Sequence, residues 1–174
     1  DHVLIPAGTV HCSGANTMVL EISATPYIFT FKLWDWGRVD LDGKPRPIHL
    51  EHGAANIQWY RNTEWVHRNL VNAVAEVYTG ENGTVVRTGL HEREFLDTFR
   101  FTTSSALPVH RNGSVHMLNL VDGTRAVLRS KSDAFPPLEL HYAETCIVPQ
   151  AAGDYEIYSP DGSEVKVILA CVRN

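Results

Sequence analysis

The sequence predicts a mainly β protein, a sandwich or barrel of short strands with a short helical linker. Two observations carry that expectation. From residue 84 onward, runs of β-branched and aromatic residues recur at close spacing, separated by turn signals at Asn112-Gly113, Asp122-Gly123, Gly153-Asp154 and Asp161-Gly162. Between residues 49 and 73 the pattern changes to a helical period.

Taken in order, the chain opens on Val3-Leu4-Ile5, a strand-like run broken by Pro6 and Gly8. Met18-Val19-Leu20-Glu21-Ile22 and the run from Tyr27 to Trp34 add two more, giving three expected strands in the first 36 residues. Residues 40–47 (DLDGKPRP) read as a turn-rich crossing, tightest at Asp42-Gly43. Helices are expected over 49–57 and 63–73; in the second, Trp65, Val66, Asn69, Leu70 and Ala73 share a face and Thr63 can cap the start. Strands are then expected at 84–87, 95–102, 115–121, 126–129, 139–142, 145–148, 154–158 and 165–172. The opening Leu4-Ile5-Pro6-Ala7-Gly8 is echoed by Ile147-Val148-Pro149-Gln150-Ala151-Ala152-Gly153, which suggests two related barrels.

Composition narrows the function. The 174 residues are 44% hydrophobic and 20% charged, with a formal net charge of −5, so no basic stripe exists to neutralise nucleic acid. A small anionic substrate needs only a few local cations and stays open. The three cysteines, Cys12, Cys146 and Cys171, are far apart and odd in number, forming neither a CxxC motif nor a disulfide framework, which suits a reducing compartment. No apolar run approaches membrane length and no signal peptide precedes Asp1, so no membrane partner and a cytoplasmic location are expected. The sequons at Asn82 and Asn112 would matter only in a secreted protein.

The chemistry centres on Pro6-Ala7-Gly8-Thr9-Val10-His11. Proline fixes φ and glycine permits a bend, so a tight turn can aim the imidazole into a barrel, where imidazole suits Zn, Fe, Mn or Ni. A structural or exposed histidine is the alternative on spacing alone. P-x-G-x-x-H, with Asn16 close behind, resembles the second motif of the cupin superfamily. With Val19-Leu20-Glu21-Ile22, then Thr30 to Arg38 (TFKLWDWGR), then Gly43 to Glu51 (GKPRPIHLE), it forms one series. In order and spacing that series resembles the central part of bacterial class I (cupin-type) mannose-6-phosphate isomerases. The resemblance resumes at 113–123 and 143–153 and is looser over 52–112.

That resemblance implies a double-stranded β-helix, or jelly-roll, fold. It also implies isomerisation of mannose 6-phosphate and fructose 6-phosphate through an enediol on a Zn²⁺ ion. His11 matches the last zinc-ligand histidine, the other ligands belonging to a motif upstream of Asp1. Glu21 matches a glutamate near the metal, suited to proton transfer or to orienting a ligand. Lys32 stands where bacterial relatives commonly carry a catalytic arginine; it keeps the charge and loses the bidentate fork. A solvated strand charge is its alternative. Arg38 closes the Trp-Asp-Trp-Gly-Arg segment, where an ion pair with Asp35 pinning the crossing is favoured over catalysis. Lys44 and Arg46 are candidates for meeting phosphate, against a default of solvated turn charges.

The remaining histidines lack a positioning device. His49 and His52 share i, i+3 spacing but match no family ligand, and His91, His110 and His116 lie near no H-x-H with a spaced Glu. The second barrel is therefore expected to be metal-free. A Cys12–His11 dyad is disfavoured because neighbours on a strand face opposite ways. No G-x-S-x-G, P-loop, G-x-G-x-x-G or HExxH occurs.

The expected organisation is residues 1–40 as closing strands of a first, metal-binding barrel, 41–83 as crossing loop and helices, and 84–174 as a second barrel. The expected function is that of part of a metal-dependent sugar-phosphate isomerase acting on a phosphorylated hexose and inactive as these 174 residues alone. A non-catalytic carbohydrate-binding or regulatory cupin module is the alternative. Open sheet edges lead to the further expectation of a homodimer through edge pairing.

Overall fold

The computed structural model describes residues 1–23 and 30–173. Its chain divides into two compact units, one of Asp1–Leu4 with Asn72–Asn174 and one of Ile5–Val71.

The larger unit is a two-sheet β structure. Among the described residues its strands are β1 (Ala75–Gly80), β2 (Gly83–Arg87), β3 (Leu96–Thr103), β4 (Ala106–Val109), β5 (His116–Asp122), β6 (Arg125–Ser130), β7 (Leu138–His141), β8 (Thr145–Val148), β9 (Tyr155–Tyr158) and β10 (Val165–Val172). Six of them form a sheet in the order β1-β2-β3-β10-β5-β8 and four form a second in the order β4-β9-β6-β7; every pairing is antiparallel. β10 is the central strand of the larger sheet, paired along its length with β3 from Val165↔Thr103 to Val172↔Leu96.

Alternation of side chains builds the core. Leu118, Leu120, Val165 and Val167 from one sheet meet Leu107, Ala126, Leu128 and Ile157 from the other in one continuous cluster, all inaccessible or nearly so. The β5–β6 turn passes the chain between sheets at Gly123, whose φ of +89° and whose position 3.0 Å from the Glu164 carbonyl, measured to a built Cβ, leave no room for a side chain. The N-terminal residues join this unit through Asn72, which donates its N–H to the His2 carbonyl and accepts the His2 N–H at Oδ1.

Eight expected strands are present with ends shifted by at most a residue or two, and 145–148 and 165–172 coincide with β8 and β10. Two strands were not expected. β4 contains Pro108, tolerated because β4 is the edge of its sheet. β1 is exposed along its whole length and carries a register shift between Glu76 and Tyr78, so it lacks the alternation that signals a half-buried strand. The barrel unit therefore starts upstream of residue 84, and the chain shows two compact units where three segments were expected.

The smaller unit differs more. Its helices α1 (Leu50–Asn56) and α2 (Thr63–Asn69) lie within the expected ranges, but α2 ends four residues short of 73 and is capped by Asn62, whose side chain accepts the Trp65 N–H at 3.0 Å, and not by Thr63. The strands expected in the first 36 residues are absent among the described residues; Tyr27–Phe29 lie outside them. Met18, Val19 and Leu20 have the side chains of a strand but remain exposed, with no partner strand among the described residues. Gly53 is buried where α1 crosses Phe31 and Leu33, and an added Cβ there would collide with the Leu33 side chain.

Candidate functional site

Within the smaller unit, two arrangements gather most of the residues singled out in the sequence. The first is the Pro6–His11 turn. Thr9 N–H donates to the Pro6 carbonyl at 3.2 Å and Gly8 sits at φ +82°, so the proline–glycine turn forms as its residue types dictate. Arg61 clamps it: Nη1 donates to the Pro6 carbonyl (3.1 Å), the Ala7 carbonyl (2.7 Å) and Thr9 Oγ1 (2.6 Å). Beyond the turn His11 is exposed, with Nδ1 3.0 Å from the Thr9 carbonyl. Glu21 is exposed as well.

The second arrangement is a charged knot around Asp35. The chain turns at Asp35–Arg38, with the Arg38 N–H on the Asp35 carbonyl (2.9 Å) and Trp36 at φ +50°. Trp34 and Trp36 stay exposed while Asp35 is buried. The Asp35 carboxylate accepts two hydrogen bonds from Arg46, Nε to Oδ2 at 2.6 Å and Nη2 to Oδ1 at 2.7 Å, and a longer one of 3.4 Å from Lys32 Nζ. The Arg46 hydrogen bonds above all hold the Asp35 carboxyl down at about 2. The partner of Asp35 is thus Arg46, with Lys32, and not Arg38; Arg38 instead lies 5.3 Å over the Trp36 ring.

Lys32 is fixed at its backbone too. Its N–H donates to His49 Nδ1 (3.2 Å) and its carbonyl accepts the His49 N–H (2.7 Å). That assigns His49 an acceptor at Nδ1, a neutral ring with its proton on Nε2. Phe31 stacks on His52, centroids 5.9 Å apart, and meets His49 edge-on at 6.2 Å. The His49/His52 pair is therefore a packing surface for the 31–32 segment. Lys44 is exposed and uses its backbone to close the 40–44 turn with Asp40.

The fold brings Lys32, Asp35, Arg46 and His49 together. Among the described residues no group of three or more His, Cys, Asp or Glu is placed to hold a metal ion. One imidazole does not meet the three protein ligands a catalytic zinc requires. The residues described do not by themselves fit the ion.

The larger unit has a buried polar cluster of its own. His116 lies inside the barrel with Nδ1 2.9 Å from the Tyr155 hydroxyl and Nε2 3.0 Å from Asn112 Oδ1. Asn112 Oδ1 can only accept, so Nε2 carries the proton and the Tyr155 O–H donates to Nδ1. Burial, helped by the Arg111 charge, lowers the His116 pKa to about 4, and burial raises the Tyr155 hydroxyl above its ordinary range. At the rim, Asp154 binds His110 Nδ1 (2.8 Å) and the Arg111 N–H (2.9 Å). Neither Arg61 nor this cluster was singled out as functional, because their contacts lie 40 or more residues apart in sequence or depend on which strands pair.

The two-sheet barrel has the cupin fold. No family profile and no curated protein sequence matches the chain. Among solved structures, the mannose 6-phosphate isomerase of Bacillus subtilis superimposes with a TM-score of 0.54 at 13% identity, over 79% of this chain and 38% of that one. A cupin-2 domain of Rhodospirillum rubrum gives 0.47 at 10% identity, over 58% and 70%, and an RmlC-like cupin protein of Desulfovibrio desulfuricans 0.43 at 16%, over 60% and 92%. The first of these superpositions, at 13% identity, shows the fold and leaves activity to the residues. No helix among the described residues is long and apolar enough to cross a membrane.

Proposed function

We propose that this chain is part of a metal-dependent aldose–ketose isomerase acting on a phosphorylated hexose, mannose 6-phosphate being the expected substrate. The observation that carries the reading is the single ordered series from Ile5 to Glu51, with its proline–glycine turn, Trp-Asp-Trp-Gly-Arg segment and Gly-Lys-Pro-Arg-Pro crossing. The superposition on the Bacillus subtilis isomerase supports it at the level of fold, over 38% of that enzyme's length. His11 would be one ligand of the expected Zn²⁺, the others lying outside the described residues. Lys32, tethered through His49 and Asp35, would set a positive charge against the enediolate or the phosphate, with Arg38 and Lys44 as further phosphate contacts. Glu21 would move a proton or orient a ligand. The protein is read as cytoplasmic, and sheet edges such as β1 favour a homodimer.

A non-catalytic carbohydrate-binding module is the second reading. It is favoured by the engagement of Lys32 with Asp35, which occupies the charge that catalysis would use. The test is a coupled isomerase assay on the full reading frame containing this segment, with zinc supplied and then chelated. Zinc-dependent conversion of mannose 6-phosphate supports the enzyme; a metal-loaded protein that isomerises no hexose phosphate supports the module.

A further inference from the structure

Every free sheet edge offers unpaired backbone groups to another strand, and proteins blunt that offer with a proline, a charge or a bulge. Among the described residues the two sheets end in four edges, β1, β8, β4 and β7. Three of them carry such a device. β4 contains Pro108, β7 presents Glu139 and His141, and β1 has Glu76 beside its register shift. β8 carries none: Thr145-Cys146-Ile147-Val148 has no charge and no proline, and it pairs with β5 without a shift from Asn119↔Thr145 to His116↔Val148. The adjoining acid, Glu144, is turned back onto His141, accepting its N–H at 2.8 Å and lying 3.1 Å from its Nδ1.

The face beside this edge is apolar as well. Cys146 and Val148 pack toward the core, which leaves Thr145 and Ile147 on the outer surface, with Ile147 65% exposed. Ile147 stands opposite Met117, and Met117 opposite Ala170, so one uncharged row crosses β8, β5 and β10. Val172 is two positions beyond Ala170 and Val115 two before Met117; both are exposed and widen the row into a stripe.

We propose that β8 is the edge through which two copies of this chain pair, antiparallel about a two-fold axis, so that each six-stranded sheet continues into the other. The second copy is the occupant because a two-fold pairing sets each residue near its own image. Such a pairing is unfavourable where the edge is charged, as at β7, in a chain whose formal net charge is −5. At β8 the images that meet are Thr145 to Val148, all uncharged, and the Ile147–Met117 row runs on as one stripe across the junction. Pro149 ends the edge on its far side. Pairing here rests on the homodimer reading above and places that dimer at β8 in preference to β1.

Sedimentation velocity of the 174-residue chain against concentration tests this. Four paired residues and a short stripe fall below the ~1,200 Å² of a standard interface, so a weak dimer with a dissociation constant of ~10–100 μM is expected. Ile147→Lys sets like charges together and should weaken it at least ~10-fold, as should Ile147→Glu. Val77→Lys, on the β1 edge, should leave it unchanged. All three positions of change are exposed, so the thermal transition should stay that of the parent chain. An equimolar mixture of Ile147→Lys and Ile147→Glu should recover the dimer, because opposite or diagonal neighbours across the junction lie within ~8 Å. A chain that stays monomeric at every concentration overturns both the β8 pairing and the homodimer reading. A dimer lost in Val77→Lys and kept in Ile147→Lys preserves the homodimer and overturns the β8 pairing, as does a dimer that neither change weakens. A mixture of the two folded Ile147 variants that stays monomeric overturns it too.

Discussion

Arg46 grips Asp35 from 11 positions further along the chain, with Nε and Nη2 each on one carboxylate oxygen, at 2.6 and 2.7 Å. This fork, and not the sequence-adjacent Arg38, closes the Trp-Asp-Trp-Gly-Arg turn against the crossing loop. Because it lowers the folded carboxyl from 3.8 to about 2, its stabilisation is present above about 3.8 and is lost as pH falls through about 2. In Arg46→Gln the Asp35 carboxyl should titrate closer to 3.8, read from its ¹³C chemical shift against pH. An unchanged midpoint would show that Arg46 does not hold the group.

His116 makes the opposite kind of statement about pH. Its ring is neutral in the fold and titrates at about 4, against 6.5 for an ordinary histidine, so the unfolded chain takes up a proton first as pH falls. The stability of the larger unit should be fully present above 6.5 and decline between 6.5 and about 4. Tyr155→Phe removes the hydroxyl that donates to Nδ1 and leaves that nitrogen buried without a partner, a loss of about 1–3 kcal/mol in urea denaturation at neutral pH. A neutral result would place the ring in water.

Glycine is required at position 8 in the smaller unit. A Cβ at Gly8 would lie 2.7 Å from both the Asn56 carbonyl and Gln58 Cγ, at a φ of +82° that disfavours any side chain. Gly8→Ala should destabilise the turn by about 1–3 kcal/mol and increase amide exchange at Thr9 and Gln58. Unchanged exchange at those two amides would mean the turn is not built on Gly8.

The three thiols should differ in reactivity. Burial pushes Cys146 up to about 11 and raises Cys171, while Cys12 is exposed. A thiol reagent at neutral pH should label Cys12 quickly and the other two only on unfolding, as peptide mass spectrometry will show. Rapid labelling of Cys171 in the native chain would contradict its place at 4% exposure in the core.

Where the sequence was legible, the reason is periodicity against a finished core. Val165 to Val172 alternates because β10 is paired on both sides, and Thr145 to Val148 is bounded by turn residues. Met18 to Ile22 carries the same kind of residues without a partner strand among the described residues, and a strand needs one. β4 was hidden by Pro108 and β1 by a bulge, both features of sheet edges. The candidate site was legible as residue types and as a turn, but not as partnerships. Nothing in the spacing distinguishes Arg46 from Arg38 as the partner of Asp35, or marks Arg61 as the clamp on Pro6 to Thr9, because those contacts are made by the fold.

The central claim is that His11 serves a metal-dependent sugar-phosphate isomerase. Zinc content and mannose 6-phosphate turnover of the full reading frame, measured side by side for the parent protein and His11→Ala, test it most directly. The account predicts that the variant loses stoichiometric zinc and at least ~100-fold of its turnover while keeping its thermal transition. A variant that retains both zinc and activity would contradict it.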